Sequence, residues 1–385
     1  MAVDATAILT QLSILLLVGI VVSAAAHKLR VSNVLVLILT GLFFGSLADW
    51  FTLESTLLVG LGIVALAMVV FEGTTKFSLR QIDIYSGKGL ELTAYQLLFV
   101  TLIVGVSSYF LLFSNVEAGI LFALVLAFAV SGTDPSSVIL LLPNQNTKRT
   151  KLLTIEAIIN TPVMVLLPFI ALDALTKTFT ISQLIGIGQQ LIVGVGTGVL
   201  IGLILFKAMR KTYAKDLSTA AIVGGALATY LIAQNLDGSG VLAVATLGII
   251  FGNVTIKNKE ELTDFSFGFS SIVEILVFLL IGILVASTLS FGWLELLYAA
   301  ILFAGLFLAR LLAVRIVLRE ETLRERIIVA LLMPKGIAVA VLIFIFSSGL
   351  YPQIPDELIT AMFFILLYSI AVATITSYAE TTNES

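Results

Sequence analysis

The chain has 385 residues, 59% of them hydrophobic and 12% charged, with a mean hydropathy of +1.14 and a formal net charge of −3. A soluble domain carries about a quarter charged residues, so this composition excludes one and predicts a polytopic helical membrane protein, residues 1–385 forming a single transmembrane domain. No cysteine is present, which removes disulfides, thiolate metal ligands and thiol catalysis.

In chain order, apolar runs of about 15–25 residues predict about 13 transmembrane helices, at 7–26, 31–48, 56–72, 89–113, 117–142, 152–172, 184–206, 217–234, 239–252, 266–287, 291–314, 326–347 and 357–378. Ala7 to Ala26 has no basic segment ahead of it and reads as a retained first helix rather than a cleaved signal. Alternate connections carry 18 of the 21 basic residues, from Lys28 and Arg30 to Arg324 and Arg326, whereas the opposite connections carry only Lys177. The positive-inside rule then places the N-terminus outside and the C-terminus in the cytoplasm of a cell membrane.

Span five is broken by Ser131-Gly132-Thr133-Asp134-Pro135-Ser136. Pro135 donates no N–H, so the carbonyl of Ser131 loses its helical partner. Irregular backbone survives at membrane depth only where protein buries it or it lines a wet cavity. Asp134 lies inside the break, and freed carbonyls beside a carboxylate make an oxygen-rich site for a small hard cation. Span twelve is broken in the same way at Pro334-Lys335-Gly336. Two interrupted helices in oppositely oriented halves are the pattern of an inverted-repeat transporter whose site lies where the breaks meet, and on that argument Lys335 faces the broken part of span five.

The remaining charges within spans are Glu72, Glu91, Glu156, Glu274 and Arg310. Each needs a partner or water. Glu156 and Asn160 share a helix face four residues apart, and Pro162 loosens the next turn. Glu156 reads either as an ion-pair partner of Arg310 or Lys335 or as a direct participant in transport. Glu72 either lines an access funnel or marks a helix end; Glu274 reads as paired, and Glu91 as solvated at a helix start.

Ser131-Gly132-Thr133-Asp134-Pro135 resembles the signature of the monovalent cation/proton antiporter superfamily, the sodium/proton exchangers. Further stretches agree in order: Val70-Phe71-Glu72-Gly73, Gly238-Ser239-Gly240-Val241-Leu242, Glu274-Ile275-Leu276-Val277-Phe278, Arg310-Leu311-Leu312 and Pro334-Lys335-Gly336. The resemblance covers nearly the whole chain. It implies inverted repeats with two discontinuous crossing helices, a homodimer in membrane lipid, and alternating access that exchanges sodium, or less often potassium or lithium, for protons. It also implies Thr133 and Asp134 in the unwound cation site, bordered by Glu156 and Asn160, with Glu72 in the access funnel. The family has Asn-Asp, or two adjacent aspartates, where this chain has Asn160-Thr161. A threonine hydroxyl offers a lone pair to a cation but cannot carry the proton. Asp134 is thereby the only aspartate within the spans, and Glu156 and Glu72 are the carboxylates able to substitute.

Two function classes follow. One is a secondary antiporter in which cation and proton compete at Asp134, with Ser131, Thr133, Asn160 and Thr161 around it and Glu156, Arg310, Lys335 and Glu274 as the ion-pairing framework. The other is a non-exchanging relative, a cation leak channel or ion sensor, that has lost the second aspartate. Neither needs a cofactor beyond the transported ions. An enzyme is disfavoured because an intramembrane aspartyl protease needs two membrane aspartates, and His27, the only histidine, reads as an interface residue. Nucleic-acid binding has no support, because topology already accounts for the basic loops.

Overall fold

The protein was analysed as a computed structural model that describes residues 5–29, 33–46, 55–75, 84–134, 137–138, 148–173, 181–211, 215–256, 258–288, 292–347, 351 and 353–384. The regular structure among them is helical. The elements are α1 (Ala5–Leu29), α2 (Asn33–Ser46), α3 (Ser55–Thr75), α4 (Ile84–Val100), α5 (Gly119–Ala129), α6 (Lys148–Asp173), α7 (Ile181–Lys211), α8 (Lys215–Asn235), α9 (Gly240–Asn253), α10 (Lys259–Thr288), α11 (Trp293–Val317), α12 (Leu323–Leu331), α13 (Ile337–Ser347) and α14 (Asp356–Glu384). π-helical turns at Thr101–Gly105 and Tyr109–Phe113 prolong α4 to the end of its apolar run.

Eight of the described helices are long and apolar enough to cross a membrane, and four shorter apolar helices, α2, α5, α9 and α13, accompany them. The protein is a multi-pass membrane protein. Several helices outrun the apolar windows that predict them. The tenth span, expected at 266–287, begins at Lys259 with Glu260 and Glu261 in its first turn, where acidic groups suit the exposed N–H groups of a helix start.

The larger of two apolar core clusters runs through Ile38 of α2, Phe71 of α3, Phe251 of α9, Phe278 of α10 and Phe344 of α13. α2 and α10 press together through glycine: a Cβ on Gly41 would lie 2.2 Å from the carbonyl oxygen of Leu279. Membrane helices approach this closely only where small residues line the contact. α13, apolar on every side, is the most enclosed segment, with Ile337 through Phe346 all buried. A helix apolar all round belongs inside protein. By contrast α7 turns Ile192, Leu200, Leu203 and Ile204 outward, as a lipid-facing helix does.

The two sequence breaks are real interruptions of helix. α5 ends at Ala129, and the backbone runs irregularly through Thr133 and Asp134. Pro135, Ser136 and 139–147, including the rest of span five, lie outside the described residues; Ser137 and Val138 are helical. In span twelve, α12 ends at Leu331 and α13 starts at Ile337, with a non-helical segment between them.

Candidate ion site at the crossing of the broken helices

Each break satisfies the other's backbone. The N–H of Asp134 donates to the carbonyl of Pro334 at 3.0 Å, and the ammonium of Lys335 donates to the carbonyl of Gly132. The N–H of Lys335 is in turn held by Ser369 Oγ of α14 at 3.0 Å. Lys335 has no solvent exposure. A backbone carbonyl without a partner costs several kcal/mol in a membrane interior, so a lysine here closes a gap that proline and glycine open.

Asp134 starts the next helical stretch. Its Oδ2 accepts the N–H of Ser137 at 2.6 Å, the hydrogen bond of an N-cap aspartate, and its own carbonyl accepts the N–H of Val138 at 3.0 Å. Gly336 lies against this carboxylate, and a Cβ there would fall 2.2 Å from Asp134 Cγ. Any side chain at position 336 would therefore separate the breaks or displace the aspartate.

Behind the crossing lies a second polar cluster. Arg310 of α11 grips Glu156 of α6 with both prongs of its guanidinium, Nη1 to Oε1 at 3.0 Å and Nη2 to Oε2 at 2.9 Å, and neither side chain is exposed. Asn160 Nδ2 adds a bond to Oε1 at 2.7 Å, and Thr133 Oγ1 adds one to Oε2 at 3.0 Å. The carboxylate thus accepts four bonds with its charge matched by Arg310, the condition under which a buried ion pair is tolerated. Asn160 also donates to Thr133 Oγ1 at 3.0 Å and accepts from the Thr133 N–H at 3.3 Å. The Thr133 hydroxyl gives one bond and takes one here, which leaves it one lone pair.

These contacts sort the sequence-predicted residues into two groups. Asp134, Thr133 and Thr161 line a cavity of about 30 Å³, together with Glu72 and Gly73 of α3, Ser270 and Glu274 of α10, and Gly336, which immediately precedes α13. Glu156, Asn160 and Arg310 form the network behind it. Ser131 bonds back to the carbonyl of Phe128 at 2.8 Å, and Thr161, which lines the cavity, donates its hydroxyl to the carbonyl of Ala157 at 2.7 Å. Of the two cations considered for Glu156, Arg310 is the one in contact with it. Glu72, in the last turn of α3, shares the cavity with Asp134.

Sequence reasoning missed Ser369 and Ser270, whose hydroxyls carry no pattern that separates them from other serines in apolar helices. It also placed Arg149 in a basic loop. The structure puts Arg149 in the first turn of α6, bonded to Glu325 of α12 at 2.7 Å and to Glu380 of α14 at 3.2 Å, with Arg324 on the same Glu380.

The family model described as "Sodium/hydrogen exchanger, transmembrane" matches residues 12–378. The chain belongs to this family. Its members are transporters rather than enzymes. A "Probable Na(+)/H(+) antiporter 2" of Methanocaldococcus jannaschii is 25% identical over 71% of the chain and 68% of its own length. The "Low-affinity Na(+)/H(+) antiporter NhaS1" of Synechocystis is 30% identical over 40% of the chain and 30% of its own length. The "K(+)/H(+) antiporter NhaP2" of a Shewanella species is 25% identical over 57% of the chain and 39% of its own length. For these last two, the matched region spans well under half of the relative. The solved structure of the sodium proton antiporter MjNhaP1 of M. jannaschii has the same fold, with a TM-score of 0.79 over 97% of this chain and 98% of that one, at 20% identity.

Proposed function

We propose that the protein exchanges a monovalent alkali cation for protons, the two competing for Asp134, by alternating access of a single transmembrane domain. The observation that carries this reading is the small cavity at the crossing, which Asp134 lines together with Thr133 and Thr161. Oxygen ligands suit alkali cations, and a volume near 30 Å³ exceeds the roughly 10–15 Å³ that a single water-sized species needs. Glu156, already matched by Arg310, serves as framework rather than as the exchanging group. Relatives named as Na(+)/H(+) and K(+)/H(+) antiporters support the reaction class. Sodium and potassium are both candidates, because those names divide between them.

A second cavity, of about 540 Å³, supports the alternating-access part. It is lined by Phe169 and Leu166 of α6, Gln190 of α7, Gln234 of α8, Asp237 and Tyr351. Met164 of the same α6 lines the small cavity, so α6 borders both spaces. A modest movement of α6 and the crossing against α7 to α9 would pass the site from one space to the other. The proposal includes a homodimer in the cell membrane, with the N-terminus outside and the C-terminus cytoplasmic, an orientation supported by the bias of basic residues.

The test is proton movement in proteoliposomes under imposed sodium and then potassium gradients. The reading expects proton flux that requires one of these cations. Cation flux without proton coupling would favour a leak channel, and no flux of either kind would favour a sensor.

A further inference from the structure

Hydroxyls inside these helices are satisfied by the carbonyl one turn earlier, as Thr161, Thr74 and Thr93 illustrate. Ser270 departs from that habit. It is 1% exposed, and its Oγ has no hydrogen-bond partner among the described residues. A buried polar atom left unanswered is unfavourable and calls for an unseen water or ion. Ser270 lines the small cavity, and so does Glu274, one turn further along the same face of α10. Ser266, one turn back toward the charged start of α10, is 2% exposed and equally without a partner. The stripe Ser266, Ser270 and Glu274 therefore leads from that helix end to the cavity.

The described lining of the cavity is acidic. Arg310 is committed to Glu156, and the Lys335 ammonium is committed to the carbonyl of Gly132. Among the described residues, the lining contributes the carboxylates of Asp134, Glu72 and Glu274 and no basic side chain. Resting on the cation-exchange reading above, we propose that Glu274 and Ser270 are direct ligands of the transported cation. They form a wall of the site on α10 opposite Asp134, Thr133 and Thr161. Glu274 then supplies a second carboxylate from a different helix, and Thr161 contributes only a neutral oxygen.

The experiment compares wild type with Glu274→Gln, Glu274→Asp, Ser270→Ala and Ser270→Thr. Cation binding is read from thermal stabilisation of purified protein by sodium or potassium chloride at constant ionic strength, and exchange from proteoliposomes. Loss of a charged ligand should raise the half-saturating cation concentration about tenfold or more in both assays, with Glu274→Asp recovering part of it. Ser270→Ala should raise it several-fold, and Ser270→Thr should restore it. Half-saturation unchanged within about twofold in Glu274→Gln and Ser270→Ala, while Asp134→Asn abolishes binding, would overturn the α10 wall and leave the exchange reading standing. If Glu274→Gln fails to fold, Ser270→Ala against Ser270→Thr decides. A wild type that binds a cation without exchanging it would overturn the exchange reading alone, and one stabilised by neither cation would overturn both.

Discussion

The N–H of Asp134 is bonded to the carbonyl of Pro334 at 3.0 Å, so the carboxylate at the centre of the site is fixed by the backbone of the other broken helix. Its position depends on how closely the two breaks approach, and Gly336 sets that approach. Gly336→Ala would push a methyl group to within 2.2 Å of Asp134 Cγ. Displacement of order 1 Å at a preorganised site removes about 100-fold of activity. The variant is expected to lose cation-driven proton flux by about that factor while still folding, as checked by flux and thermal unfolding of the same preparation.

Arg310 and Glu156 are both fully buried. Removing one charge leaves the other uncompensated, at a cost of about 3–5 kcal/mol, whereas removing both with residues of similar shape is far milder. Arg310→Met should therefore destabilise the protein strongly, and adding Glu156→Gln should recover most of the loss. The readout is thermal unfolding in cation-free buffer, which separates this framework role from a role in binding.

Lys335 answers the carbonyl of Gly132. Lys335→Met keeps the bulk and removes the donor, so it should destabilise by about 1–3 kcal/mol, the penalty for a buried acceptor left unpaired. Chemical denaturation measures the loss. Because the exposed carbonyl lies two residues from Asp134, reduced exchange should accompany it.

Thr161 lines, with an uncharged side chain, the cavity that Asp134 also lines. Thr161→Asp adds a second acidic group beside the first, and like charges at one site raise the proton affinity of one member. The pH range over which exchange operates should shift upward, or the charge moved per cycle should change. Flux measured against pH and against membrane potential distinguishes these from an unchanged profile, which would place Thr161 outside the site.

The architecture was legible because each break combines proline, glycine and a charge within an otherwise apolar run, a pattern lipid does not tolerate without purpose. Asp134 could be singled out from that alone, whereas Thr133 and Thr161 joined it through the family resemblance. The partner of Lys335 could not, because it is a backbone carbonyl 203 residues away and backbone acceptors leave no mark in a sequence. Arg310 and Lys335 stood equal as partners for Glu156 until the fold placed the guanidinium prongs on both carboxylate oxygens. Ser270 was hidden for a different reason. A serine in an apolar helix ordinarily bonds its own preceding turn, and only the packing shows that this one does not.

The central claim is that cation and proton compete for the Asp134 carboxylate. Its most direct measurement is proton release from purified protein in weakly buffered solution when sodium or potassium chloride is added, with choline chloride as the control. The account predicts proton release on adding the transported cation to wild type and none from Asp134→Asn. Equal release from the mutant, or cation binding to wild type with no release, would contradict it.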